Sequence, residues 1–294
     1  MKQNKAVLSV IAAGVLWGVI SVFIKKLSAG GMTAMNISLV RMEVAAPTFA
    51  LAAAIKDRSS LKICLRDIWL FIGTGIVSVV LFNICYFYTM IHAQASVAVV
   101  LLYTSPVFIM LLSRVFFKES FTLRKLLALA MTFGGCVLVA GLSGSSGLTP
   151  FTLMTGLASG LFYGLYTIFG RVALKRYSSV TVTVWTFIFG LIGSLAVGDP
   201  VGTVSAAAAK PSLILWCLGI GIVCTVLPYF LYTKGLSGME SGKAAILVAV
   251  EPMVGAVIGI VFFGESAGIL KLTGIALILA AIVLLGIGSR KEKE

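Results

Sequence analysis

Arg41, Glu43 and Glu251 are ionisable residues set inside long apolar runs of a 294-residue chain. In hydrocarbon each such charge costs about 2.5–3.5 kcal/mol on insertion scales, so it calls for a partner on another helix, a wet cavity or a ligand. Arg41 and Glu43 are two residues apart, which puts them on different faces of one helix and prevents simple mutual pairing. Glu251 precedes Pro252, and Ser105 precedes Pro106. Each proline removes a backbone donor near the middle of its run, so freed carbonyls can face a cavity, and Pro106 and Pro252 become candidate hinges. The chemistry open to these groups is binding of a proton or a small charged ligand. Glu43 and Glu251 are the candidates for carrying a proton or receiving an amine. One arginine with two buried acids suits a zwitterion or an amine better than a phosphate ester. The structural alternatives are an interhelical ion pair for Arg41 and Glu43, and a hydrogen bond to the broken helix for Glu251.

Asn83 and Tyr86 are three residues apart and share a helix face, as do Tyr229 and Tyr232. With Trp17, Tyr103 and Tyr163 they would wall a pocket with apolar sides and a few polar tips, the usual character of a small-molecule site. Interhelical packing or interfacial anchoring would use the same residues. His92 is the one histidine and reads as an interfacial residue, with pH sensing the alternative. Lys234 and Lys243 read as cations that reach the headgroups. The five cysteines are odd in number and have no CxxC spacing, so no disulfide framework, zinc site or other metal site is expected. There is no H-E-x-x-H, G-x-S-x-G or Walker A motif, which argues against an embedded enzyme and against direct drive by ATP; no cofactor is implied. A regulator or assembly partner remains the other class.

The elements that must position these residues are apolar helices. The chain is 60% hydrophobic and 11% charged, against roughly 25% charged in a soluble domain. Ten runs are long enough to span a bilayer, near 6–24, 33–55, 69–91, 95–117, 125–142, 151–170, 180–198, 213–233, 243–263 and 269–288. They lack the alternation of a membrane barrel. The first run has a counterpart later in the chain, so it is expected to be a span and not a cleaved signal. The net charge of +13 comes from short basic clusters between runs, which points to the bilayer and away from nucleic acid. With the N-terminus inside, eighteen Lys and Arg fall in cytoplasmic segments and four outside, so both termini are expected in the cytoplasm.

The chain writes one phrase twice. Phe116, Phe117, Glu119, Ser120 and Lys125 return as Phe262, Phe263, Glu265, Ser266 and Lys271, an offset of 146 residues. The same offset relates Gly14, Trp17 and Gly18 to Gly160, Tyr163 and Gly164, and Pro106 to Pro252. The expected halves are 1–146 and 147–294, joined through the polar stretch at 142–150. Five spans per half is odd, so the halves enter the membrane from opposite sides as inverted repeats that tilt against each other. Glu119 and Glu265 then lie on opposite faces. Each precedes a helix and is expected to cap it, with a gating contact as the alternative. Gly14, Gly18, Gly160 and Gly164 read as helix-packing positions.

Ten spans, the half-repeat, the FFxES phrase closing each half and an arginine in the second span resemble the drug/metabolite transporter superfamily, EamA type. The resemblance covers essentially the whole chain. It implies a central cavity lined by spans one to four and six to nine, with spans five and ten at the periphery. It also implies transport of a small metabolite such as an amino acid, often outward, across the cytoplasmic membrane. Spans five and ten agree: span five carries one clearly polar residue in its middle, Thr132, and span ten has Thr273 near its start. Expected partners are lipid and a small-molecule substrate, with a homodimer left open.

Overall fold

The structure, a computed structural model, describes residues 3–93, 95–141 and 149–291. Its regular structure among those residues is helical throughout. Among the described residues, nine helices are long and apolar enough to cross a membrane: α1 Asn4–Ala29, α2 Ala34–Lys56, α3 Leu65–His92, α4 Ser96–Phe117, α5 Leu123–Ala140, α6 Pro150–Ala173, α7 Ser179–Val197, α8 Ser212–Leu236 and α9 Ser241–Phe263. A last helix, α10 Ile269–Lys291, has a shorter apolar stretch at Ile269–Leu285. Each expected run falls on one of these helices. The expected boundary at 146/147 lies outside the described residues.

Local chemistry sets the helix starts. Thr33, Thr122, Thr149 and Ser178 open α2, α5, α6 and α7, and each side chain accepts from the backbone N–H three residues on. An additional helix, Pro200–Ala209, occupies what the sequence suggested was a connection; Asp199 caps it and Pro200 suits its first turn. Lys118 and Gly264 close α4 and α9 with φ of 57° and 66°. The next residue's N–H, from Glu119 or Glu265, reaches back to the Ser113 or Gly259 carbonyl.

The halves make the same contacts in exchange. α4 breaks at Tyr103–Thr104 and restarts at Ser105; α9 breaks at Val248–Ala249 and restarts at Val250. Pro106 and Pro252 lack the N–H that would continue these ladders. A glycine-bearing helix from the other half lies against each break. A Cβ on Gly14 would stand 2.7 Å from the Val248 oxygen, and one on Gly160 would stand 3.2 Å from its counterpart, the Leu102 oxygen. Gly18 meets the Glu251 oxygen as Gly164 meets that of Ser105, at 2.7 and 3.4 Å by the same measure. Gly73 packs on Phe169, and Gly219 packs on Phe23. Wider π-helical turns fall at matching places, Gly73–Leu81 in α3 and Ile222–Val226 in α8. α5 and α10 pack along each other, with Gly135 and Gly274 each against the other's carbonyl.

The expected cap of α5 changes. Thr122, not Glu119, caps α5. Glu119 is 9% exposed and accepts from the Ser241 and Gly242 N–H groups at 2.8 and 3.1 Å, so it caps the distant α9. The αL turn at Lys118 swings the carboxylate back across the bundle end, where two unpaired N–H groups and the positive end of a helix receive it.

The fit of α1 and α6 against the broken helices is testable. A methyl on Gly14 would also stand 2.5 Å from the Val250 side chain. Gly14→Ala and Gly160→Ala should each destabilise by about 1–3 kcal/mol. Gly134→Ala, whose Cβ meets nothing within 4 Å, should be neutral or stabilising. Thermal melts of the three purified variants in detergent check this; a Gly14→Ala melt equal to the wild type would remove the packing role.

Candidate functional site

The breaks in α4 and α9 and the wide turns in α3 and α8 leave space at the centre of the bundle. A cavity of about 190 Å³ lies there, walled by α1, α2, α3, α4, α6, α8 and α9. It extends past Ile24, Ala34 and Met90 to the end of the bundle that carries the α1–α2 and α3–α4 connections. α5, α7 and α10 supply none of its lining.

Seven sequence candidates meet in this space: Trp17, Arg41, Asn83, Tyr86, Tyr163, Tyr229 and Glu251. Trp17 packs edge-on against Tyr229 with centroids 5.1 Å apart, and Tyr163 packs against Phe82 at 5.3 Å. Arg41 donates from Nε to Thr225 Oγ1 at 3.0 Å, and Thr225 in turn donates to the Ile220 carbonyl at 3.0 Å within the π-helical turn. One edge of the guanidinium is thereby held. Glu251 has the Tyr103 and Tyr163 hydroxyls as hydrogen-bonding neighbours. Among the described residues the ion pairs are Lys125–Glu240, Arg176–Asp67 and Lys271–Glu265, so no direct bridge joins Arg41 to Glu251. A cation from the first half and an anion from the second share one cavity without touching.

Three candidates stand elsewhere. Tyr103 lies behind Glu251 in a cluster with Cys136 and Ile278. Tyr232 lines a smaller space next to the main one, with Ser78, Tyr166 and Thr167. Glu43 does not line the cavity; it is half-buried, within electrostatic range of Cys217 of α8, with no hydrogen bond or ion pair among the described residues. Pro106 and Pro252 sit at the restarts of the two broken helices. His92 stacks on Tyr88 at the exposed end of α3. Lys234 is exposed, as a headgroup-reaching lysine would be, whereas Lys243 is 9% exposed and part of the packed start of α9.

Several residues of this centre went unflagged in the sequence. Thr225 orients Arg41. Tyr166 pairs with Thr233 at 2.6 Å and Thr167 with Tyr232 at 2.7 Å, closing the end of the space opposite the mouth. The signal was available as departures from the repeat: the counterparts of Thr225, Tyr166 and Thr233 are Val79, Ile20 and Phe87.

The model of the EamA-like transporter family matches residues 4–141 and again 150–287. An "uncharacterized transporter" of Archaeoglobus fulgidus is 28% identical over 285 residues, 94% of both chains. The Salmonella typhimurium "uncharacterized inner membrane transporter YicL" is 26% identical over 98% of this chain and 97% of its own. A "probable terminal-alkyne amino-acid exporter" of Streptantibioticus cattleyicolor is 26% identical over 99% of this chain and 98% of its own. A solved crystal structure shares the fold over 99% of both chains, with a TM-score of 0.80 at 15% identity. Two matched repeats, the helical bundle and whole-length relatives named as transporters agree: the chain belongs to the EamA-like transporter family and is a multi-pass protein of the cell membrane.

Proposed function

We propose that the chain is a secondary transporter that exports a small zwitterionic metabolite, an amino acid or a close relative of one, by alternating access. The observation that carries this reading is the separation of Arg41 and Glu251 across one aromatic-walled cavity. A buried cation and anion that do not pair leave room for a ligand bearing both opposite charges. The carboxylate of an α-amino acid suits the free edge of the Arg41 guanidinium, which accepts carboxylates in bidentate geometry. Its ammonium suits Glu251, and the rings of Trp17, Tyr163 and Tyr229 offer faces to a cation and to an apolar side chain. The relative named as an amino-acid exporter supports the same substrate class.

In this reading all ten helices cross the membrane, as inverted repeats 1–146 and 147–294 with both termini in the cytoplasm. The bias of Lys and Arg supports that orientation. The cavity mouth then faces outward. A proton carried by Glu251 would exchange for the substrate ammonium at the same carboxylate, which couples export to proton entry.

Two predictions follow from the cavity. In cells overexpressing the protein, mass spectrometry of the medium should find one amino-acid-like class above vector controls. Arg41→Gln and Glu251→Gln should each lower that export roughly 10- to 100-fold, the loss of one charge-assisted hydrogen bond. Glu43→Gln should export like the wild type; a loss with Glu43→Gln and not with Glu251→Gln would move the site out of this cavity. In proteoliposomes, adding substrate should move protons with the wild type, and Glu251→Gln should exchange substrate without proton flux. Unaltered proton flux in Glu251→Gln would take coupling away from this carboxylate.

A further inference from the structure

The two ends of the bundle are built from matching residues, yet they are in different states. At the closed end, Thr167 of α6 bonds Tyr232 of α8 at 2.7 Å. Arg171, one turn further along α6, donates to the Leu236 carbonyl at 2.7 Å and also to that of Met239, at the end of α8. Glu119 holds the Ser241 and Gly242 N–H groups at the start of α9, and Lys125 pairs with Glu240 at 2.6 Å. A cation on the carbonyl end of α8 and an anion on the amide end of α9 clamp the single turn between them, each matched to the sign of its helix end.

At the open end the counterparts of Thr167, Arg171, Glu119 and Lys125 do not make the matching contacts. Ser21, the counterpart of Thr167, has a buried hydroxyl with no hydrogen-bond partner, although Tyr86, the counterpart of Tyr232, is present on α3. Lys25, the counterpart of Arg171, lies over the Phe263 ring at 3.8 Å. Glu265 and Lys271, the counterparts of Glu119 and Lys125, bond each other at 2.9 Å. Glu265 is exposed, whereas Glu119 is buried. The cavity lies between α1 and α3 in the first half, whereas the equivalent α6 and α8 meet in the second.

Pairing with Tyr86 would satisfy the Ser21 hydroxyl; Ser241 Oγ at the closed end also lacks a partner among the described residues, so the difference between the ends rests on the exchanged contacts of Arg171 and Lys25 and of Glu119 and Glu265. We infer that the open end closes through the mirrored bonds: Ser21 to Tyr86, Lys25 to the Met90 and Ala93 carbonyls, and Glu265 to the Ala95 and Ser96 amides. The two sets alternate, since each closes a half by drawing its first helix onto its third. The moving parts are α1 against α3 and α6 against α8, inside the halves, and not only one half against the other. Glu119 and Glu265 are thus latches of opposite sign in the equilibrium. This inference rests on the alternating-access reading and deepens it.

The test uses full-length protein in lipid nanodiscs, which expose both faces to the reagent, with its five cysteines replaced and one reporter cysteine, Met90→Cys at the open end or Leu236→Cys at the closed end. Labelling by a membrane-impermeant maleimide needs no substrate, so it can succeed where the export assay finds no solute, and the converse also holds. In the otherwise unaltered background the residue-90 reporter should label and the residue-236 reporter should be protected. Glu119→Gln should raise labelling at 236 about tenfold and lower it at 90. Glu265→Gln should leave 236 protected and 90 labelled at least as fast as before. Thr167→Val and Ser21→Ala form a second pair free of charge changes and should shift labelling in those same opposite directions. If Glu119→Gln fails to fold, the hydroxyl pair decides alone. Shifts in the same direction within a pair, or no shift from the closed-end variants, would overturn the inference.

Discussion

The bundle depends on one constraint: in hydrocarbon, no backbone polar group can be left bare. Pro106 and Pro252 each interrupt a helix near its middle and supply no N–H to the Leu102 or Val248 carbonyl, the latter accepting instead from the Glu251 N–H at 3.0 Å. Those breaks are tolerable because α6 and α1 approach with glycine, so the neighbouring backbone covers them. The glycines fix how close α1 and α6 come to α9 and α4. That approach sets where Trp17 and Tyr163 stand, three residues past Gly14 and Gly160, and hence the two facing aromatic walls. The break in α9 also delivers Glu251 into the centre.

The repeat makes the frame nearly symmetric, and the contents of the cavity are not. Arg41 has Phe187 as its counterpart, and Glu251 has Ser105. The frame supplies two equivalent ends, while the proposed charged site is written once and shared by both. A site of this kind belongs to neither half.

The helices and the repeat were legible because both are periodic: apolar length reports a span, and a constant offset reports a duplicated unit. The buried charges stood out by their cost. What remained hidden was orientation and long-range pairing. Spacing separates Glu43 from Arg41 around α2 but does not say which face meets the cavity, and Arg41 lines it while Glu43 does not. The Glu119 phrase identified a capping carboxylate, yet its target lies 122 residues away, beyond any local rule. Thr225 looked like one more small polar residue in an apolar run; its function as the anchor of Arg41 exists only once α2 and α8 are packed.

Arg41 belongs to the first half and Glu251 to the second, and no bridge spans them. A molecule held by both measures the distance between halves, like a gauge block set between two jaws. By thermodynamic reciprocity, whatever change in that distance alters its affinity is a change that its binding drives in return. A ligand with only one of the two charges can occupy the cavity and leave the jaws where they were. In the proposed transporter, selectivity would then be exercised less on entry than on passage, since the solute that fits the span is the one that would move it.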